Sequence, residues 1–178
     1  RILGRVEGIM LWLLEAHAES GANLRKEAVA RGIAAERLVF AQRASLPDHL
    51  ARHRLADLFL DNIPVNAHTT ASDALWAGLP VLTILGDTFV GRVAASLLHA
   101  VGLPELIAES PEAYEQMAVD LATDPSRLAA LKARLAANRP TAPLFDTKRF
   151  TRHIEAAYTA MYRRHQAGLA PDHIDVPA

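Results

Sequence analysis

The chain has 178 residues, of which 51% are apolar and 22% are charged, and its formal net charge is −1. This composition is typical of a globular protein, and a charge so close to neutral does not favour nucleic acid or an anionic membrane as a partner. The sequence holds no cysteine, which excludes disulfides, thiolate metal sites and cysteine nucleophiles and is consistent with a cytoplasmic protein. No apolar run has the length that spans a bilayer, and no signal peptide is visible. We expect a fragment of a longer protein, since the first residue is Arg1 rather than methionine.

Short apolar runs alternate with helix-forming segments over the first 108 residues. Each run is apolar throughout rather than alternating with polar residues, which is typical of strands buried on both faces of a parallel sheet. The predicted strands are 10–14, 38–41, 58–60, 80–84 and 106–108, and the predicted helices are 23–31, 47–56, 70–77 and 91–100. The sequence therefore predicts an α/β fold with a parallel sheet covered by helices.

The pattern becomes entirely helical after Ala108. Ser110 and Asp124 each precede a proline, and this combination of a cap residue with proline at the first helical position predicts two helix starts. Asp146 or Thr147 opens a third helix. The predicted helices are 111–122, 125–137 and about 147–166, followed by a loosely ordered tail at 168–178.

The segment 66–73, with the sequence NAHTTASD, lies between an apolar strand and an apolar helix. A helix N-terminus presents unpaired N–H groups and the positive end of the helix dipole, so it favours an anion. His68, Thr69 and Thr70 place an imidazole and two hydroxyls at that end, which suit a phosphate. Asp73 adds a carboxylate that suits two sugar hydroxyls. A nucleoside diphosphate carries both of these groups.

A purely structural interpretation of the same segment is also open. Thr70 and Asp73 have the spacing of a capping box, in which each side chain satisfies a backbone N–H group at the start of the helix. This interpretation does not explain His68 and Thr69 beside the cap.

Further polar residues follow the other predicted strands, at the edge where ligands bind to open parallel sheets. Glu15 and His17 follow the first strand, and Gln42, Arg43 and His49 follow the second. The segment 86–92 follows the fourth strand and is placed to close over a ligand. We predict no metal site, because the histidines of these loops lack the i, i+4 or H-x-H spacing of metal ligands.

The sequence resembles the carboxy-terminal lobe of the protein O-linked N-acetylglucosamine transferases, including the SPINDLY-type members and the bacterial ones. The resemblance rests on DHLARHRLADLFLDNIPVNAHTTASDALWAGLPVLT and GDTFVGRVAASLLHAVGL, and then on LATDPSRL, PLFDTKRF and PDH. It covers nearly the whole chain from about Val6. It implies a GT-B glycosyltransferase fold, in which a Rossmann-like carboxy-terminal lobe holds the nucleotide sugar.

The resemblance implies roles for residues of the phosphate turn. His68, Thr69 and Thr70 match the family turn that holds the diphosphate of UDP, and Asp73 matches the acid that binds the ribose hydroxyls. SPINDLY-type members carry threonine in place of this histidine, so His68 favours a UDP-sugar over GDP-fucose.

The resemblance also implies a site for the base. His49 matches a histidine that stacks on uracil, and Ala44 falls where the family reads the uracil edge with backbone groups. Leu46 departs from a lysine of the animal members. Arg43 is placed to supply that charge instead, as a lysine does nearby in some bacterial relatives.

The implied activity is transfer of N-acetylglucosamine from UDP-GlcNAc to serine or threonine of proteins, without a metal ion or other cofactor. Residues 1–108 then form the nucleotide-sugar lobe without its first strand. Residues 109–167 form a helical section that packs on this lobe. The amino-terminal lobe and the tetratricopeptide-type helical repeats that bind protein acceptors are not in this sequence, and neither is the family's catalytic loop. We therefore expect the chain alone to be inactive and assign no catalytic residue in it. The alternatives are a transferase with another donor, such as GDP-fucose or UDP-glucose, and a non-enzymatic nucleotide-binding module.

Overall fold

The computed structural model describes residues 1–15 and 17–176 and contains eight α-helices and five short strands in that part of the chain. The strands are β1 (Leu11–Leu14), β2 (Leu38–Ala41), β3 (Phe59–Leu60), β4 (Val81–Ile84) and β5 (Ile107–Ala108). The helices are α1 (Ile2–Arg5), α2 (Ala18–Ala30), α3 (Leu46–Arg52), α4 (Thr69–Ala77), α5 (Val93–Ala100), α6 (Pro111–Thr123), α7 (Pro125–Asn138) and α8 (Thr147–Gln166). Single 3-10 turns cover Ala35–Arg37, His53–Leu55, Phe89–Gly91, Pro104–Leu106 and Pro143–Phe145.

The strands are parallel, as predicted, but they form two hydrogen-bonded groups instead of one sheet. In the described residues, β1 pairs with β2, and β3, β4 and β5 form a separate sheet in that order. The register places Leu11 opposite Leu38 in the first group and Phe59 opposite Val81 in the second. Helices follow the strands in both groups, which confirms the α/β architecture.

The hydrophobic core lies around β4. All four residues of this strand are buried, and Leu75, Leu98, Leu121 and Leu135 from the surrounding helices are completely excluded from solvent. Each such leucine contributes roughly 1.5–3 kcal/mol of hydrophobic free energy. β1, in contrast, has no fully buried residue, so the two sheets differ strongly in how well they are covered.

The starts of the three last helices agree with their sequence signals. The hydroxyl of Ser110 accepts a hydrogen bond from the N–H of Ala113 at 3.1 Å. Asp124 and Asp146 accept equivalent bonds from Arg127 and Arg149, each at 2.9 Å. These side chains satisfy N–H groups that a helix start otherwise leaves without partners.

Two helices differ from the prediction by more than two residues at one end. α2 begins at Ala18 rather than at residue 23, because Gly21 is buried against Phe40 of β2 and packing outweighs its low helix propensity. The predicted helix 47–56 is α3 followed by the 3-10 turn His53–Leu55. α1 was not predicted.

The carboxy-terminal segment has no helix or strand over the described residues 169–176. Arg164 of α8 lies 3.2 Å from the carboxylate of Asp172 and holds part of this tail against the helix. Pro177 and Ala178, the last residues of the predicted tail, lie outside the described residues. Over the part of the chain that the structure covers, no helix combines the length and the apolar character needed to cross a bilayer.

Candidate functional site

The first turn of α4 presents free hydrogen-bond donors. The helix begins at Thr69 with His68 as the N-cap residue, and no side chain among the described residues caps it. Thr69 and Thr70 are both exposed, and within the described part of the chain their backbone N–H groups donate to no protein acceptor. The turn can therefore receive an anion, as the sequence predicts.

The capping-box interpretation of this turn is wrong. Because α4 starts at Thr69, Thr70 is already the second helical residue and cannot be the N-cap. In the described structure neither the Thr70 hydroxyl nor the Asp73 carboxylate makes a hydrogen bond within the protein, so both remain free to bind a ligand.

The loop that leads from β3 to α4 is built around the buried carboxylate of Asp61. One of its oxygens accepts hydrogen bonds from the N–H groups of Asn62 at 2.8 Å and Ala67 at 2.6 Å, and the other accepts from the Thr83 hydroxyl at 2.6 Å. The Tyr114 hydroxyl donates to the Asp61 carbonyl at 3.0 Å. Burial, and then the negative charge of Asp61, raise the pKa of Tyr114, so this phenol stays protonated as a donor. The sequence holds one local signal for this network, an aspartate directly after a strand, and none for its partners Thr83 and Tyr114.

An open cleft of about 660 Å³ lies beside this loop. His68 and Thr70 belong to its wall, together with a series of residues from β3 and the loop that follows it: Phe59, Asn62, Ile63, Pro64, Val65, Asn66 and Ala67. The His68 ring meets Phe89 edge to face, with 6.1 Å between the ring centres. Two of the residues predicted to bind the diphosphate thus face one cleft.

The segment after β4 contacts the loop that lines the cleft. The backbones of Gly86 and Gly91 touch through a hydrogen bond of 2.7 Å, and Asn66 donates its N–H to the Val90 carbonyl at 2.9 Å. The Arg92 guanidinium donates to the Gly86 carbonyl at 3.0 Å. Arg92 therefore binds the backbone of its own loop and does not extend towards Thr69 and Thr70.

His49 lies on α3, which packs beside α4. Its ring is contacted by two residues of its own segment: Arg52 lies 2.7 Å from Nδ1, and the His53 ring stands edge to face at 4.6 Å. The pKa of His49 is lowered, mainly by burial and then by the positive charges of His53 and Arg52, while the negative charge of Asp73 opposes them. Asp73 lies on α4, which packs beside α3, so the residues predicted to contact the base and the ribose belong to adjacent helices.

The other predicted residues do not line the cleft: Thr69, Asp73, His49, Arg43 and Ala44. Arg43 and Ala44 are exposed in the loop between β2 and α3. Glu15 is hydrogen-bonded to Gln42, and His17 is the exposed N-cap residue of α2. In the described residues, no three histidine, aspartate or glutamate side chains are arranged to hold a metal ion.

Comparisons with known proteins agree with this architecture. Residues 1–154 match the sequence profile of glycosyl transferase family 41. A UDP-N-acetylglucosamine–peptide N-acetylglucosaminyltransferase of Caenorhabditis elegans is 37% identical over 98% of this chain and 15% of the relative. A probable enzyme of the same name, SEC, of Arabidopsis thaliana is 40% identical over 98% of this chain and 18% of the relative. This chain thus spans less than a fifth of either relative.

A solved structure is also similar. The O-GlcNAc transferase mutant of Thermobaculum terrenum matches with a TM-score of 0.86 and 33% identity, over 91% of this chain and 32% of that one. The profile match, the two relatives and this structure agree in sequence and in fold along most of the chain. The chain therefore belongs to glycosyl transferase family 41.

Proposed function

We propose that this chain is the nucleotide-sugar-binding part of a glycosyltransferase that transfers N-acetylglucosamine from UDP-GlcNAc to serine or threonine of proteins. One observation carries the proposal: the first turn of α4 is uncapped, its residues Thr69 and Thr70 are exposed, and its neighbour His68 lines an open cleft. The names of the relatives supply the substrate and the acceptor class.

The chemistry of the transfer explains why such a turn is useful. Breaking the anomeric C–O bond places negative charge on the β-phosphate of the leaving UDP. Hydrogen-bond donors that are already aimed at that position stabilise the charge as it develops. Thr69, Thr70 and the N-terminus of α4 supply such donors from this chain. We propose that they act without a metal ion, and that the groups that activate the acceptor come from other parts of the protein.

The proposed contacts to the nucleoside lie on α3 and α4. Asp73 lies about one helical turn after Thr69 and Thr70 and would bind the ribose hydroxyls. The His49 ring, on the adjacent helix, would stack on the uracil. Ala44 and Arg43 complete this proposal from the β2–α3 loop, where both are solvent-accessible. A positively charged Arg43 at this place would compensate for Leu46, which cannot bind a ribose or phosphate oxygen.

We also propose that the sheet is completed by another segment of the same protein. In doubly wound folds with strand order 3-2-1-4-5-6, the first strand lies between two groups of strands, and the ligand binds where the order reverses. The groups β2-β1 and β3-β4-β5 match such an order with its first strand left out. The exposed side chains of Met10 and Leu14 are consistent with an unfilled neighbouring position. An amino-terminal lobe, helical repeats and a cytoplasmic location belong to the same proposal.

Calorimetric titration of the full-length protein with UDP and with GDP tests the donor. We expect UDP to bind at least tenfold more tightly than GDP. We also expect the full-length protein to transfer N-acetylglucosamine from UDP-GlcNAc to a protein acceptor. Tighter binding of GDP would favour the alternative donor, GDP-fucose. Binding of UDP without transfer would favour a non-enzymatic module.

A further inference from the structure

We propose that His53 is a positioning residue that fixes the plane of the His49 ring for stacking on the nucleobase of the donor. The inference rests on the proposed function, because it takes His49 as the residue that contacts the base. His53 itself is buried, with 9% of its surface exposed, so it acts through His49 rather than on the ligand.

His53 contacts His49 in two ways. The rings meet edge to face, with centres 4.6 Å apart and an angle of 81° between their planes. In addition, Nδ1 of His53 lies 2.7 Å from the backbone carbonyl of His49. A carbonyl only accepts hydrogen bonds, so Nδ1 of His53 carries the proton and donates. The hydrogen bond fixes the His53 ring, and the fixed ring then limits how the His49 ring can rotate.

Arg52 restrains His49 from a second direction. Its guanidinium lies 2.7 Å from Nδ1 of His49, and it also donates to the Gln42 carbonyl at 2.8 Å. A guanidinium has only donors, so Nδ1 of His49 must accept and the proton of the neutral ring lies on Nε2. Arg52 at Nδ1 and the edge-to-face His53 ring therefore restrain the ring of this half-buried histidine from two sides.

The energetic benefit comes from order that exists before binding. An imidazole that rotates freely loses conformational entropy when it stacks on a base. A ring that is already fixed loses less entropy on binding, so the affinity is higher. The benefit applies only to ligands with a base. His53 should therefore affect the affinity for UDP and leave the affinity for inorganic pyrophosphate unchanged.

The test uses the full-length protein, with UDP titrated directly and inorganic pyrophosphate measured by competition. We expect His49→Ala to weaken UDP by about tenfold, the effect of losing one stacking side chain. His53→Ala should weaken UDP by about threefold to tenfold and change pyrophosphate by less than twofold. His53→Phe keeps an aromatic ring in the same place and should bind UDP more tightly than His53→Ala. His99→Ala, at an exposed histidine in the last turn of α5, is the matched control and should change neither affinity.

The outcomes separate this inference from the proposed function. If the unmodified protein does not bind UDP, the proposed function fails. If UDP binds and His49→Ala weakens it, but His53→Ala lowers the affinities for UDP and pyrophosphate equally, His53 has only a structural role and the inference is wrong. It is also wrong if His53→Ala leaves UDP unchanged or if His53→Phe binds no better than His53→Ala. Should His53→Ala not fold, His53→Gln, which keeps a donor but removes the ring, replaces it in the same comparison.

Discussion

Thr70 and Asp73 share one face of α4, since they are three residues apart on a helix. Their side chains are free of protein hydrogen bonds in the described structure, so replacing either should affect the ligand more than the fold. We expect Thr70→Ala and Asp73→Ala each to weaken UDP by about 1–3 kcal/mol, the range for hydrogen bonds to charged groups. Calorimetry on the full-length protein measures this, with Ser96→Ala, at an exposed hydroxyl on α5, as control. An unchanged dissociation constant in both variants would refute the assignment of the site.

His49 is the residue whose protonation the structure predicts most directly. Burial, His53 and Arg52 lower its pKa below 6.5, and Asp73 acts in the opposite direction. We therefore expect Asp73→Asn to lower the pKa further and His53→Ala to raise it. The unfolded chain takes up this proton at a higher pH than the folded one, so the stability that neutral His49 contributes is present above pH 6.5 and is lost as the pH falls through the folded pKa. An NMR titration of the His49 ring that gives a midpoint above 6.5 would contradict this.

At the scale of single elements, sequence patterns predicted α4 almost to the residue but misplaced the start of α2. The apolar residues of α4 and the left-handed Gly78 that ends it are local signals, whereas α2 passes through Gly21 because of a contact with Phe40 on another strand. In the site, too, local sequence signals were predictable and contacts between distant parts of the chain were not. The phosphate turn is a continuous segment, but Thr83 and Tyr114 reach Asp61 only in the folded chain and have no local signature. The positions of Arg43 and Ala44 relative to a ligand stay a prediction.

The β3–α4 loop should depend on Asp61 for its shape. Asp61→Ala removes three hydrogen bonds from a buried carboxylate and leaves their donors without partners, so we expect a loss of about 2–4 kcal/mol in the free energy of unfolding. Asp57→Ala, at the other end of β3, is the matched control. Asp57 is exposed and pairs with Lys132 at 2.8 Å, and such surface pairs contribute only about 0–1 kcal/mol. Chemical denaturation of both variants measures the difference, and equal losses would show that the Asp61 network does not hold the loop.

For the molecule as a whole, the unequal covering of the two sheets predicts unequal stability. Strands with exposed side chains open more readily than strands at the centre of a core. In the isolated chain we expect the amides of Leu11–Leu14 to exchange with solvent at least tenfold faster than those of Val81–Ile84. In the full-length protein the difference should shrink, because the proposed extra strand would cover β1. Hydrogen exchange with mass spectrometry measures both, and an unchanged difference would argue against a strand at that position.

The close approach of Gly86 and Gly91 limits which side chains the segment after β4 can carry. A side chain on Gly91 would place a carbon 3.0 Å from the Pro64 carbonyl, and one on Gly86 would lie 3.0 Å from the Gly91 carbonyl. A side chain on Gly91 would therefore push the segment after β4 away from the loop that lines the cleft, and a side chain on Gly86 would distort that segment itself. A larger residue at either position should therefore change the shape of the cleft without contacting a ligand.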